Sequence, residues 1–225
     1  MCVCRNFVPF CRRMPQLTLT AVREEWQGAW ESTSFRRKVL VGLFTVIVIL
    51  SVFPAFFQTI EKRNGFLLND PLLRWLAPHN VSLAIFIIIW TICLLMIYRA
   101  AQNPRLFIVY LWSFIFLSLF RILTITLVPL DPPVGLVGLV DPISNLFYGA
   151  KFVTRDLFFS GHTSSVFLMY LCLSSRRDKR LALLATALVG SLLLVQHVHY
   201  TLDVLGALVF AWIAHWITLR TVVKN

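Results

Sequence analysis

The chain has 225 residues, of which 58% are hydrophobic and 14% charged, with a mean hydropathy of +0.78. Soluble domains carry about a quarter charged residues, so the composition excludes a soluble globular enzyme and excludes disorder. The net charge of +11 fits membrane orientation and anionic lipid rather than nucleic acid, and five scattered cysteines make no disulfide framework.

Residues 1–38 form a cytoplasmic N-terminal segment with no apolar stretch of the signal-peptide kind. Leu19, Val22, Trp26 and Trp30 fall at helical spacing, which predicts an interfacial helix on the cytoplasmic leaflet; a loosely ordered tail is the alternative. Cys2, Cys4 and Cys11 lack a histidine cluster, so no zinc site is expected, while Cys93 and Cys172 read as small apolar packing residues.

A spanning helix needs about 20 mostly apolar residues. Six stretches approach this: 39–57 with Pro54 near its exit, 81–98, 106–130, 158–173, 181–198 and 203–219. They predict an all-α polytopic membrane domain of six transmembrane helices over 39–219, followed by a short cytoplasmic tail, 220–225. Lys and Arg give the orientation. Seven lie in the N-terminal segment, two after the second span, four after the fourth and two at the C-terminus, fifteen against five on the opposite face. Both termini are therefore expected in the cytoplasm.

Ionisable groups in or beside spans are costly and mark function by default. Arg121 lies about two and a half turns below the outer end of the third span. His162 opens the fourth, and His199 and Asp203 flank the turn between the fifth and sixth, so all four lie toward the non-cytoplasmic face. His215 falls at the cytoplasmic end.

Ser160-Gly161-His162-Thr163 reads as a helix start. Ser160 is a good N-cap, the first amides are unpaired, and Gly161 admits an anion close to the backbone. Alone, the tetrapeptide fits an ordinary polar helix start equally well. His199 and Asp203 stand at i and i+4, where a helix brings them together, fixing one ring nitrogen and leaving the other as nucleophile or base. Alone, such a pair is more often a buried histidine satisfied by a carboxylate. His197 is about 200° away and reads as structural. Together, two histidines, a carboxylate and an arginine suited to phosphate oxygens favour phosphoryl transfer through histidine. No third and fourth metal ligand accompanies them, and serine chemistry lacks its strand–elbow–helix context.

Asp156-Leu157-Phe158-Phe159-Ser160-Gly161-His162-Thr163, followed by His199-Tyr200-Thr201-Leu202-Asp203-Val204, resembles the paired signature of the sphingomyelin synthase family, within the wider type 2 phosphatidic acid phosphatase superfamily. The resemblance spans mainly 121–204, its histidines 37 residues apart. It implies a lipid headgroup phosphotransferase: His199, oriented by Asp203, attacks a phospholipid phosphodiester and becomes a phosphohistidine, and His162 protonates the departing diacylglycerol and then deprotonates a ceramide or related hydroxyl. Asp156 matches an acidic motif position, and Arg121 is assigned from depth and charge. With Ser160, Gly161, Thr163 and Tyr200 these form the expected substrate-binding set. The phosphatase branch carries a Lys-rich first motif and a Ser-Arg pair where this chain has Leu192-Leu193, which tilts the reading away from a plain phosphatase. The expected partners are membrane lipids, a phospholipid donor and a ceramide- or diacylglycerol-type acceptor, with no cofactor, no metal and no nucleic acid, and with a homo-oligomer admissible. Hydrolysis at the same site and a non-catalytic lipid-binding protein are the alternatives. The stretch 131–155 is expected to select the headgroup.

Overall fold

A computed structural model describes residues 19–139 and 153–224. Cys2, Cys4, Cys11 and the middle of the expected headgroup-selecting stretch lie outside them. The described chain is helical, with a single bridge, Phe66 to Leu130, as its only strand-like pairing.

Helix α1 (Leu19–Glu31) precedes α2 (Thr33–Glu61), which Ser32 caps through its hydroxyl, and Pro54 lies inside it. A short α3 (Pro71–Trp75) starts at Asp70 with Pro71 in the first turn, and α4 covers Ser82–Gln102. Only Asn103 separates α4 from α5 (Pro104–Leu127); its side chain accepts from Leu106 N at 3.0 Å, and Pro104 supplies a first-turn residue whose missing N–H costs nothing. Next come α6 (Gly161–Cys172), α7 (Arg176–Val195) and α8 (Thr201–Thr218), the last continuing as a π-helical turn, Leu219–Val223.

Among the described residues, four helices are long and apolar enough to cross a membrane: α2, α4, α5 and α8 with its continuation. The expected spans 158–173 and 181–198 correspond to α6 and α7, which do not meet that standard, for two reasons. Residues 158–160 are not helical, leaving α6 twelve residues, about 18 Å long. In α7 the first five residues, Arg176 to Arg180, are all charged, leaving fifteen beyond them.

The helices meet lipid differently. Leu83, Ile87 and Leu94 of α4, and Leu181, Leu184 and Leu188 of α7, point outward. No large apolar side chain of α6 is exposed, because α4, α5, α7 and α8 surround it. Small residues allow the close approach: Ala182, Ala185, Ala207, Ala211 and Ala214 are buried, and a Cβ on Gly190 would press on Val204. At the opposite end from α6's start, Arg99 Nε donates to Asp178 Oδ2 at 2.7 Å, tying α4 to α7.

The turn between α7 and α8 has a specific lock. His197 N donates to Leu194 O and Val198 N to Leu193 O, the Schellman pattern, with His197 at φ 56° in the left-handed position usually given to glycine. Its ring compensates: Nδ1 lies 2.8 Å from Val134 O and Nε2 3.0 Å from Leu76 O. Gln196, fully buried, accepts from Val81 N and donates to Ser82 Oγ and Gly138 O. His197 thus holds the turn through its ring contacts; the helical-wheel angle does not apply, because the residue lies between helices.

Candidate active site

The first histidine stands where α6 begins. Ser160 Oγ caps Thr163 N at 3.4 Å, and Ser160 N donates to Asp203 O at 3.1 Å. That backbone bond joins the two motifs, because Ser160 precedes His162 by two residues and Asp203 follows His199 by four. His162 is half-buried with its ring edge-on to Phe86 of α4.

His199 departs from the helical expectation in one respect. It lies in the turn before α8, not on a helix, and Asp203 occupies the third helical position. The pair nevertheless forms: Nδ1 of His199 lies 3.2 Å from Asp203 Oδ2, which also accepts from Tyr200 N at 3.0 Å. Asp203 is fully buried and His199 is 3% exposed. A carboxylate accepts only, so Nδ1 carries the proton and Nε2 presents its lone pair. The first turn of α8 favours the negative charge of Asp203.

Arg121 points from α5 to the start of α6. Its Nη2 donates to both oxygens of Asp156, at 2.5 and 2.6 Å. A Cβ on Gly161 would land on the guanidinium, so any larger residue there must displace the end of the Arg121 side chain. Three buried polar atoms around this junction have no partner among the described residues: Arg121 Nε, Thr163 Oγ1 and Asp203 Oδ1. Buried polar groups are nearly always satisfied, so such a cluster marks a place that a polar ligand or water completes. Among the described residues no three His, Cys, Asp or Glu side chains converge as a metal site would need.

Of the expected substrate-binding residues, Arg121, Asp156, Gly161 and Thr163 lie at this junction. Ser160 is fully buried as a cap. Tyr200 is buried too, its hydroxyl accepting from Leu68 N and donating to Asp131 O at 2.9 Å. Both hold the scaffold.

Residues distant in sequence fix the site, and local spacing gives no sign of them. Glu61, at the end of α2, accepts from Thr154 N and Oγ1 and from Arg155 N, while Arg155 Nη1 donates to Glu61 O at 2.6 Å. Arg155 also pairs with Asp131 at 2.9 Å, closing the ends of the 131–155 stretch on each other. Asp70 accepts from Thr201 N at 2.6 Å and from its hydroxyl at 3.1 Å, and so caps α8 as well as α3. Burial disfavours its charged form, but the donors from Thr201, Leu72 and Leu73 outweigh that and hold the carboxyl below its usual range. Asp70-Pro71 is a readable helix start; that it also caps a helix 131 positions on is not readable.

Residues 155–220 match the sequence profile of the family described as PAP2 superfamily C-terminal. The matched segment, less than a third of the chain, contains Asp156, His162, His199 and Asp203. No curated protein and no solved structure matches the chain.

Proposed function

We propose that the protein is a lipid headgroup phosphotransferase of the sphingomyelin synthase type. It moves a phospho-headgroup from a glycerophospholipid to ceramide or a related lipid alcohol. The observation that carries this reading is the Ser160–Asp203 hydrogen bond, which joins the start of α6 to the His199–Asp203 pair.

In the first half-reaction His199 Nε2 attacks phosphorus, the P–O bond to diacylglycerol breaks, and His162 gives its proton to the leaving alkoxide. The headgroup phosphate now rides on His199. In the second, His162 takes the proton of the acceptor hydroxyl, the alkoxide attacks phosphorus, and the P–N bond breaks to restore His199. Asp203 holds the Nδ1 proton and stabilises the positive ring as it bonds to phosphorus. The amides at the start of α6 and the Arg121 guanidinium, oriented by Asp156, receive charge on the phosphate oxygens.

Six spans place this chemistry on the non-cytoplasmic face with both termini in the cytoplasm. In that arrangement α6 and α7 cross as enclosed or charge-ended helices beside the four longer ones. Two features favour transfer over hydrolysis: Leu192-Leu193 stands where the phosphatase branch has a Ser-Arg pair to grip a phosphomonoester, and the nucleophile is nearly sealed from water.

The test is mass spectrometry of lipids after incubating the purified protein in vesicles of phosphatidylcholine, phosphatidylethanolamine and phosphatidylinositol with labelled ceramide and diacylglycerol. A labelled phospholipid of new mass is expected, and that mass identifies headgroup and acceptor. Water-soluble phosphobase or phosphate without a new lipid would make the protein a hydrolase and overturn transfer.

A further inference from the structure

The far end of the bundle from the histidines carries a second feature that the transfer chemistry does not use. Helix α1 is docked there, not loose: Trp26 Nε1 donates to Ala101 O at 2.8 Å, and its ring packs edge-on against Phe107 and Phe35. Between α1 and the start of α2 lies an open cavity of about 700 Å³ lined by Arg23, Trp26, Gln27, Trp30, Glu31 and Arg36.

Three observations say what fits it. Arg23 and Arg36 form no ion pair among the described residues, so two guanidiniums face the cavity uncompensated by a bonded carboxylate. Planar guanidiniums suit phosphate oxygens. Trp30 is 43% exposed beside them, the placement of an indole at a membrane interface. Below Arg36 on the same face of α2, at steps of four and three to four, Leu40, Leu43, Phe44 and Ile47 point outward. The charged cavity therefore runs directly into a lipid-facing apolar stripe.

We propose that this cavity binds an anionic glycerophospholipid of the cytoplasmic leaflet. Its phosphodiester lies between Arg23 and Arg36, its headgroup hydroxyls reach Gln27 and Glu31, and its acyl chains lie along Leu40 to Ile47. The binding is independent of the catalytic reading, because the cavity and the histidines occupy opposite ends of the bundle.

The test uses tryptophan quenching in vesicles of phosphatidylcholine doped with acyl-brominated phosphatidylglycerol or, in parallel, acyl-brominated phosphatidylcholine. Brominated phosphatidylglycerol is expected to quench more at equal content, and Trp30→Phe to remove most of that excess. Each of Arg23→Gln and Arg36→Gln is expected to weaken the preference about five-fold, or about 25-fold together, on the scale of about 1 kcal/mol per cation near a membrane. Equal quenching by the two lipids, or an excess indifferent to both arginine variants, overturns the proposal. Displacement of the excess by millimolar soluble glycerol phosphate would identify a soluble anion as the ligand and overturn the lipid assignment.

Discussion

Helix α4 turns Leu83, Ile87, Leu94 and Ile97 outward along 21 residues, whereas α6, with 12, exposes no large apolar side chain and opens on Ser160, His162, Thr163 and Ser164. A helix that meets lipid must be long and apolar, because nothing else satisfies its surface. A helix enclosed by its neighbours is released from both demands. In α6 that freedom is spent at one end: the polar start that would be costly in lipid lies against Asp203, Arg121 and Asp156, where its amides and histidine are usable. The same contrast separates two glycines. Gly161 has the Arg121 guanidinium against it, while Gly28 on α1 has nothing within 4 Å.

The largest effects should come from the enclosed end. His199→Ala is expected to abolish turnover, and Asp203→Asn to lower it about 10³- to 10⁴-fold by releasing the ring tautomer, the scale seen when a triad carboxylate is neutralised. Lipid turnover by variants that elute as the wild-type species checks both; Asp203→Asn activity within ten-fold of wild type would remove Asp203 from that role. Gly161→Ala comes next. It forces the Arg121 guanidinium aside and so lowers turnover, at a stability cost of no more than about 1 kcal/mol because the atoms displaced are the end of a flexible side chain. The matched change Gly28→Ala should be silent in turnover and raise thermal stability slightly, by up to about 1 kcal/mol. If the two glycine variants behave alike, the contrast between enclosed and exposed helices fails.

Arg121→Lys keeps the charge but not the paired donation to Asp156, and should lower turnover more than it lowers stability, because the partners are partly solvated. A stability loss with unchanged turnover would make the pair structural.

The smallest effect concerns Asp70. Its carboxyl is held below the usual range in the folded protein, so the stability it adds is fully present above its unfolded value of about 4. That contribution disappears as pH falls through the lower folded value. Asp70→Asn should cost about 1 kcal/mol at neutral pH, the worth of a helix cap, and flatten the acid limb of the stability profile below about pH 4. An unchanged acid limb in the variant would show that Asp70 does not cap α8.

What could be read from the sequence follows the range of the interaction. Capping by Ser160 and the His199–Asp203 contact act over a few residues and leave local spacing as their trace, although His199 sits in a turn and not on the helix that the spacing suggests. That α6 starts only at Gly161 was not legible, because hydropathy shows neither that Phe158 to Ser160 lie outside the helix nor that α6 faces other helices and not lipid. Nor were the contacts of Glu61 with Thr154 and Arg155, of Asp131 with Arg155, or of Asp70 with Thr201, since each joins elements that only the folded chain brings together. Tyr200 shows the limit of a motif: its position suggests substrate, while its buried hydroxyl bridges Leu68 and Asp131.

The central claim is that His199 carries the headgroup phosphate between two lipids. The direct measurement is to incubate the protein with a headgroup-labelled phospholipid donor without acceptor, quench in alkali, which preserves phosphohistidine, and map the labelled peptide by mass spectrometry. The account predicts one adduct, on the peptide containing His199, absent in His199→Ala and discharged when an acceptor lipid is added before the quench. Label on another residue, or full turnover by His199→Ala, would contradict it.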